Sequence, residues 1–319
     1  MTIYGFTAAD QDLETFYREK ASRTLKYLEL SRHVFAAEHD YLEEATTLRR
    51  RGLLKMRGFF PRGEILGVGA KVEDFVAGRQ CLGRIRNHAA ESPEGIQRGE
   101  FSYYTVEEMR APGFSLRAKV SSVGIVEPLI QLPELAGLVF DPRLLGIVSS
   151  YFGTIPVLSF VKVRTTFAND LPTADTQWFH ADFGSYRILK AFIYLNDVDL
   201  EGGPFCYIEG SHAKKFGGWT EKSRFADDEL REHYGPDCVT ACTARAGDIY
   251  LAETTGFHRG LKPTRTDRNI VIVTYCVHPE YGFSYEPNRM ARSTFDNLTD
   301  VGRAASDALE IEDEPGSTS

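Results

Sequence analysis

Apolar positions along the chain change their period near residue 156. Before it, spacing is helical. Residues 10–51 contain no Gly or Pro, and Leu13, Phe16, Tyr17, Leu25, Leu28 and Leu30 recur at near-helical intervals behind Asp10, a ready N-cap. This predicts one long helix or two shorter ones, packed on the outside of a core and ended near Gly52. Gly52–Pro61 (GLLKMRGFFP) is an apolar run between breakers and predicts a strand. Residues 64–78 predict a helix, and 84–115 are mixed, with an apolar–polar segment at Phe101–Val106 and a Pro-Gly break at 112–113. Leu132–Gly153 predicts two helical pieces, interrupted at Pro142 and closed by Gly153.

From residue 156 the period becomes two. Val157–Phe167 alternates, with Leu158, Phe160, Lys162, Arg164 and Thr166 on one face. Ile188–Leu195, Pro204–Ile208, Val239–Thr243, Ile249–Ala252 and Asn269–Val277 read as further strands, separated by Gly-rich turns such as Glu201-Gly202-Gly203 and Ala246-Gly247-Asp248. Many short strands after a helical first third predict a mostly β fold with helices outside, an antiparallel barrel or jelly roll. Asp307–Ser319 is acidic and rich in Ser and Gly, the composition of a disordered tail.

Composition narrows the partners. The 319 residues carry a net charge of −8, which argues against a phosphate-binding face and so against nucleic acid. No apolar run reads as a membrane span, and MTIYGFTAADQD lacks the basic and apolar regions of a signal peptide, so the expectation is a cytoplasmic protein. Five scattered cysteines (Cys81, Cys206, Cys238, Cys242, Cys276) read as reduced, mostly buried thiols. Nothing in the pattern separates a monomer from a homodimer.

The candidate chemistry lies at Gln177–Gly184 (QWFHADFG). Read as a strand, it turns His180 and Asp182 to one face, while Trp178 and Phe179 point to opposite layers. One distant histidine would complete a facial triad that holds Fe(II) with open positions for oxygen chemistry. Of the eight histidines, His258 in TTGFHRG differs: it follows the apolar strand Ile249–Ala252 and precedes the last long strand. A closed sheet would bring it beside His180. Arg265 and Arg268 follow, and either guanidinium suits the carboxylate of a keto acid that chelates the metal at its other end. Arg268 opens an apolar strand and is the better-held candidate. Arg265 lies in a polar connection after Pro263.

These segments together resemble the phytanoyl-CoA dioxygenase family of Fe(II)/2-oxoglutarate-dependent oxygenases, from about residue 46 to 280. The resemblance is carried by GLLKMRGFFPRGE, LPELAGLVFDPRLLGIVSSYFG, WFHADF, FIYLNDVDLEGGPFCYIEGSHAKK, AGDIYLAETTGFHRG and the Arg before NIVIVTY. It implies a double-stranded β-helix core in a dioxygenase domain over 46–280, with a helical extension at 1–45 and a C-terminal segment at 281–319. It further implies His180, Asp182 and His258 as iron ligands, Arg268 as the 2-oxoglutarate clamp, Phe192 and Lys119 near the cosubstrate, and His212 as structural. The activity implied is O2-dependent hydroxylation of a small molecule with release of succinate and CO2. Halogenating relatives have a small residue where Asp182 stands, so its carboxylate points away from halogenation. One departure is His-Arg-Gly-Leu-Lys-Pro after the distal histidine, where the family often has a polar Ser or Asn. Two other readings share the fold: a non-catalytic binding barrel, and a cupin-like zinc or manganese enzyme that would not need Arg268. The Phe160, Lys162, Arg164 face hints at an anionic substrate, although solvated strand charges produce the same alternation.

Overall fold

The computed structural model describes residues 41–78, 85–87, 102–173, 175–182, 187–277 and 288–313. Helix α1 (Leu42–Arg51) buries Ala45 and Leu48 and stops at Gly52, whose φ of 72° lets its N–H turn back to the Leu48 carbonyl. Most of the helix expected over 10–51 lies outside the described residues. Strand β1 (Leu53–Met56) leads to α2 (Arg62–Val76), which buries Ile65, Val68, Val72 and Phe75 at intervals of three and four. Short elements follow: β2 (Ile85–Asn87), β3 (Ser102–Tyr104), α3 (Val106–Arg110), α4 (Leu116–Lys119) and β4 (Ser122–Ile125).

Helix α5 (Pro128–Gln131) precedes the pair α6 (Leu135–Val139) and α7 (Pro142–Phe152). The break falls where expected. Asp141 accepts hydrogen bonds from the N–H groups of Arg143 and Leu144, Pro142 fills the first helical position, and Gly153 closes α7 in the left-handed region. The window Leu135–Phe152 does reach a mean hydropathy of 1.2, contrary to the expectation of no span-like run. It is split at Asp141, and 61% of it is buried, as befits helices packed on a core.

The strands that follow are β5 (Val157–Thr166), β6 (Ile188–Tyr194), β7 (Phe205–Ile208), β8 (Val239–Cys242), β9 (Ile249–Glu253), β10 (His258–Gly260) and β11 (Arg268–Cys276), with helix α8 (Asp227–Tyr234) between β7 and β8. They form an eight-stranded sheet in the order β1-β9-β6-β11-β5-β4-β2-β3 and a three-stranded sheet β10-β7-β8, with the paired strands of both antiparallel. Alternation sorts the side chains. Val161, Val163, Ala191, Ile193, Val271 and Val273 join the helices in one core. Phe192, Tyr194, Tyr250 and Ile270 point the other way and meet Phe205, Tyr207 and Cys242 of the small sheet. The result is a mostly antiparallel β architecture with helices outside, and the site lies between the sheets.

The C-terminal part departs from expectation. Strand β12 (Arg289–Ala291), helices α9 (Arg292–Asp296) and α10 (Asp300–Ala305), and β13 (Glu310–Glu312) form a unit in which β13 pairs parallel to β12. Met290, Ala305 and Leu309 join the main core. Composition alone read Asp307 onward as a tail. Leu309 anchors it, and Arg289 pairs with Glu312 at 2.6 Å; residues 314–319 lie outside the described residues. Cys206, Cys238, Cys242 and Cys276 are free thiols, all but Cys238 buried, and Cys81 lies outside the described residues.

Candidate metal centre

The chain around His180 is not the regular strand expected over 177–184. A 3-10 turn (Asp175–Gln177) is followed by two isolated bridges, Phe179 to Phe225 and His180 to His258. The backbone is nonetheless held extended. His180 and His258 exchange both N–H···O bonds at 2.9 Å, and the Asp182 N–H donates to the Thr254 carbonyl at 2.8 Å. Three bonds to one partner segment preserve the two-residue alternation that turns His180 and Asp182 the same way. Phe179 is fully buried and stacked under the Arg259 guanidinium, whereas Trp178 is 42% exposed, so the two do point to opposite sides.

The three side chains converge. The Asp182 carboxylate lies 3.9 Å from His180 Nε2 and 3.7 Å from His258 Nε2, and one ligand atom from each residue falls within 4.8 Å of the others. Their tautomers are set from behind: His180 Nδ1 faces the Trp178 carbonyl at 3.0 Å, and His258 Nδ1 faces that of Gly256 at 2.9 Å. Each Nδ1 therefore carries the proton, and each Nε2 lone pair is directed toward the carboxylate. Burial, assisted by the neighbouring His180, lowers the His258 pKa to about 3, so its imidazole is neutral at physiological pH. Burial works against the charge of Asp182, but the Lys190 ammonium, 2.7 Å away, outweighs it and holds the carboxyl below its ordinary range. Two imidazole Nε2 atoms turned toward an ionised carboxylate, held by the Trp178 and Gly256 carbonyls and by Lys190 before any ion arrives, fit a facial-triad metal.

These residues line a cavity of about 180 Å³ together with Phe192, Arg268 and the inward face of β5. A larger cavity, about 590 Å³, lies elsewhere, between Glu73, Phe114, Arg117 and Asp267, and the His–Asp–His cluster takes no part in it. Arg268 is 5% exposed. Its nearest acceptors are distant, the Leu261 carbonyl at 3.4 Å and Thr166 Oγ1 at 3.3 Å, and no carboxylate among the described residues pairs with it. Burial, with the nearby Arg164 charge, lowers its pKa to about 10. A cation held this way is a socket for an incoming carboxylate. Gly260 makes room for it, since a Cβ there would stand 2.7 Å from Arg268 Nη2.

The other candidates separate. Arg265 is exposed and engaged by Glu201 at 2.7 Å and Asp199 at 3.4 Å. Phe192 lines the cavity, stacked on Phe205 with centroids 4.0 Å apart. The structure does not bring Lys119 to the site: α4 turns Leu116 inward and leaves Lys119 exposed, its Nζ 5.4 Å from the centre of the Phe114 ring. His212 ties its turn to the Arg49 carbonyl at 3.1 Å. Sequence reasoning missed Lys190, the ion-pair partner of Asp182. The signal was present, because it is the one charge inside ILKAFIYL and lies two residues before Phe192, hence on the same face.

The family model described as Phytanoyl-CoA dioxygenase (PhyH) matches residues 48–268, well over half of the chain. No curated protein sequence matches. Solved structures resemble the fold. EctD from S. alaskensis, with bound Fe, is 17% identical with a TM-score of 0.54, covering 87% of this chain and 90% of that one. The epimerase SnoN, in complex with Fe3+, alpha ketoglutarate and nogalamycin RO, is 17% identical with a TM-score of 0.52, over 74% of this chain and 83% of that one. The alpha ketoglutarate-dependent carbocyclase SnoK from nogalamycin biosynthesis is 20% identical with a TM-score of 0.51, over 73% and 82%.

Proposed function

The chain belongs to the phytanoyl-CoA dioxygenase family and is an iron- and 2-oxoglutarate-dependent dioxygenase; from that premise we propose that it hydroxylates a small anionic molecule. On this reading His180, Asp182 and His258 hold Fe(II), and Arg268 takes the distal carboxylate of 2-oxoglutarate. The two facing sheets are read as the halves of a double-stranded β-helix in a domain spanning residues 46–280, which their antiparallel pairing and shared apolar interior support. Iron held by His180, Asp182 and His258 would supply the oxidising chemistry, in which 2-oxoglutarate loses CO2, one atom of O2 ends in succinate and the other enters a substrate C–H bond.

The chain's own residues do the rest. The Trp178 and Gly256 carbonyls keep both imidazoles in the ligating tautomer. Thr166 and the Leu261 carbonyl steer the Arg268 fork toward the cavity, where an arriving carboxylate replaces two long contacts with charge-assisted ones. Phe192 and Phe205 form an apolar wall that keeps water from the reacting centre. One observation carries the reading: a preset His–Asp–His cluster and a buried arginine that pairs with no carboxylate among the described residues open into the same cavity.

The test is spectroscopic and chemical. Fe(II) and 2-oxoglutarate added without oxygen should produce the iron–keto acid charge-transfer absorbance. Admitting oxygen with a panel of small acids should release succinate above the substrate-free rate for at least one of them. Absence of the absorbance at saturating cosubstrate would refute the assignment.

A further inference from the structure

The turn that follows β9 has three consecutive carbonyls, and each accepts a bond from a different part of the chain. The Thr254 carbonyl takes the Asp182 N–H at 2.8 Å, and the Gly256 carbonyl takes His258 Nδ1 at 2.9 Å. The Thr255 carbonyl between them takes the Lys215 ammonium. Two of the three ligand residues are thus oriented by the neighbours of one carbonyl, which is itself held by a cation. Adjacent peptide planes share a single Cα, so a tilt of the Thr255 carbonyl is passed to those on either side. The turn is braced elsewhere too. Glu253, 2% exposed, accepts Thr255 Oγ1 and the Ile188 N–H at 3.0 Å with one carboxylate oxygen, and Tyr151 OH at 2.7 Å with the other. Thr255 is therefore gripped at both its carbonyl and its hydroxyl, by Lys215 and by Glu253.

A cation is not what packing alone would place at 215. The Lys215 Nζ sits 4.4 Å from the centre of the Phe257 ring and 4.8 Å from that of Trp219. Burial among these rings lowers its pKa to about 8, although the charge of Glu253 acts to raise it. Attraction to the ring faces offsets part of the desolvation. Methionine, unbranched and of similar length, would fill the same space without a charge and with favourable sulfur–aromatic contacts. The bond to the Thr255 carbonyl is what the ammonium adds.

Building on the iron-ligand assignment above, we propose that Lys215 is a positioning residue of the metal centre: by fixing the Thr255 carbonyl it sets the Thr254 and Gly256 carbonyls that orient Asp182 and His258. It does not line the cavity, so its effect on the metal runs through the turn. Two simpler roles give different outcomes. A lysine acting only as a positive charge would repel Fe(II), and its removal would tighten metal binding. A lysine acting only in packing would affect stability and leave metal affinity alone.

The experiment measures the Fe(II) dissociation constant without oxygen and the ligand-field bands of the Co(II) form, which report coordination geometry and not turnover. Lys215→Met should weaken Fe(II) about tenfold, the lower end of the roughly 10–100-fold that partners of metal ligands are worth, and should shift the Co(II) bands. Its melting temperature without metal should stay within about 5 °C of the parent, because one lost hydrogen bond and one relieved buried charge offset each other. Lys215→Arg, which keeps a cationic donor, should recover most of the affinity. Lys214→Met, at the exposed neighbouring position, should leave both readings unchanged. Thr255→Val removes the bond to Glu253 with the lysine in place, and should weaken Fe(II) in the same direction. Unchanged or tighter Fe(II) binding in Lys215→Met would overturn the proposal. A failure of that variant to fold, or a larger fall in melting temperature, would also overturn it and make the lysine a structural residue. Parent protein that binds no Fe(II), or Fe(II) affinity unchanged in Asp182→Ala, would instead count against the iron-ligand assignment.

Discussion

Arg268 should cost the protein stability in return for cosubstrate affinity, and Arg268→Met separates the two. Burial lowers its pKa from the ordinary guanidinium range to about 10, and at about 1.4 kcal/mol per pKa unit the charge is carried at a cost of about 3 kcal/mol while no carboxylate is present. Methionine fills much of the same volume without that cost; comparable replacements of buried charges by apolar side chains are neutral or stabilising by about 1–4 kcal/mol. The cosubstrate-free variant should therefore melt higher than the parent protein, at roughly 2–4 °C for each kcal/mol gained. With 2-oxoglutarate present the order should reverse, because the parent gains about 2.7 kcal/mol at a ligand concentration one hundred times Kd and the variant gains almost nothing. Losing one partner of a buried charge pair costs about 2–5 kcal/mol, so the 2-oxoglutarate Kd should rise roughly a hundredfold or more. Arg265→Ala is the control. Its side chain is 64% exposed and already paired with Glu201, and the change in Kd should stay below about tenfold. Thermal melts of the iron-loaded protein and titration of the charge-transfer absorbance supply both readings. A lower melting temperature for cosubstrate-free Arg268→Met together with a Kd within tenfold of the parent would refute the reasoning. The opposite ranking of the two variants would move the clamp to Arg265.

Asp182→Ala should abolish iron-dependent succinate release while leaving the circular dichroism spectrum intact, and Asp182→Gly should regain iron binding only when chloride is supplied. Gly260→Ala should displace the Arg268 fork, since its Cβ would stand 2.7 Å from Nη2, and raise the 2-oxoglutarate Kd by about tenfold with iron affinity retained; an unchanged Kd would place the clamp elsewhere. The metal-free protein should lose stability as the pH falls from about 6.5 toward about 3. Over that window the unfolded chain protonates His258 while the folded chain, with the pKa lowered by burial, does not, a slope of up to about 1.4 kcal/mol per pH unit. His258→Gln should flatten the slope, and identical pH profiles of melting temperature would count against the buried neutral imidazole.

Local signals were legible in the sequence because they act over a few residues. Gly52 and Gly153 end helices where a left-handed residue is needed, Asp141-Pro142 starts one, and strict alternation in β5 and β11 sorts side chains between the helix-covered core and the cavity. The apolar run after Arg268 and the polar, Pro-containing connection around Arg265 told a strand residue from a loop residue. Contacts between distant segments belong to the tertiary structure. Only sheet closure selects His258 from eight histidines, through its reciprocal bonds with His180, and those bonds hold Asp182 in place although residues 177–182 form no regular strand. The acidic composition after Asp307 pointed to a tail, yet burial of Leu309 and pairing with β12 outweigh it. Lys119 faces solvent because the turn of α4 buries Leu116 instead. Lys190 shows the division most clearly: period two turns it to the cavity face, but its ion pair with Asp182 exists only because another part of the chain brings that carboxylate to within 2.7 Å. Side-chain direction follows from the local backbone, whereas the charge that a side chain meets depends on how the sheets fold together.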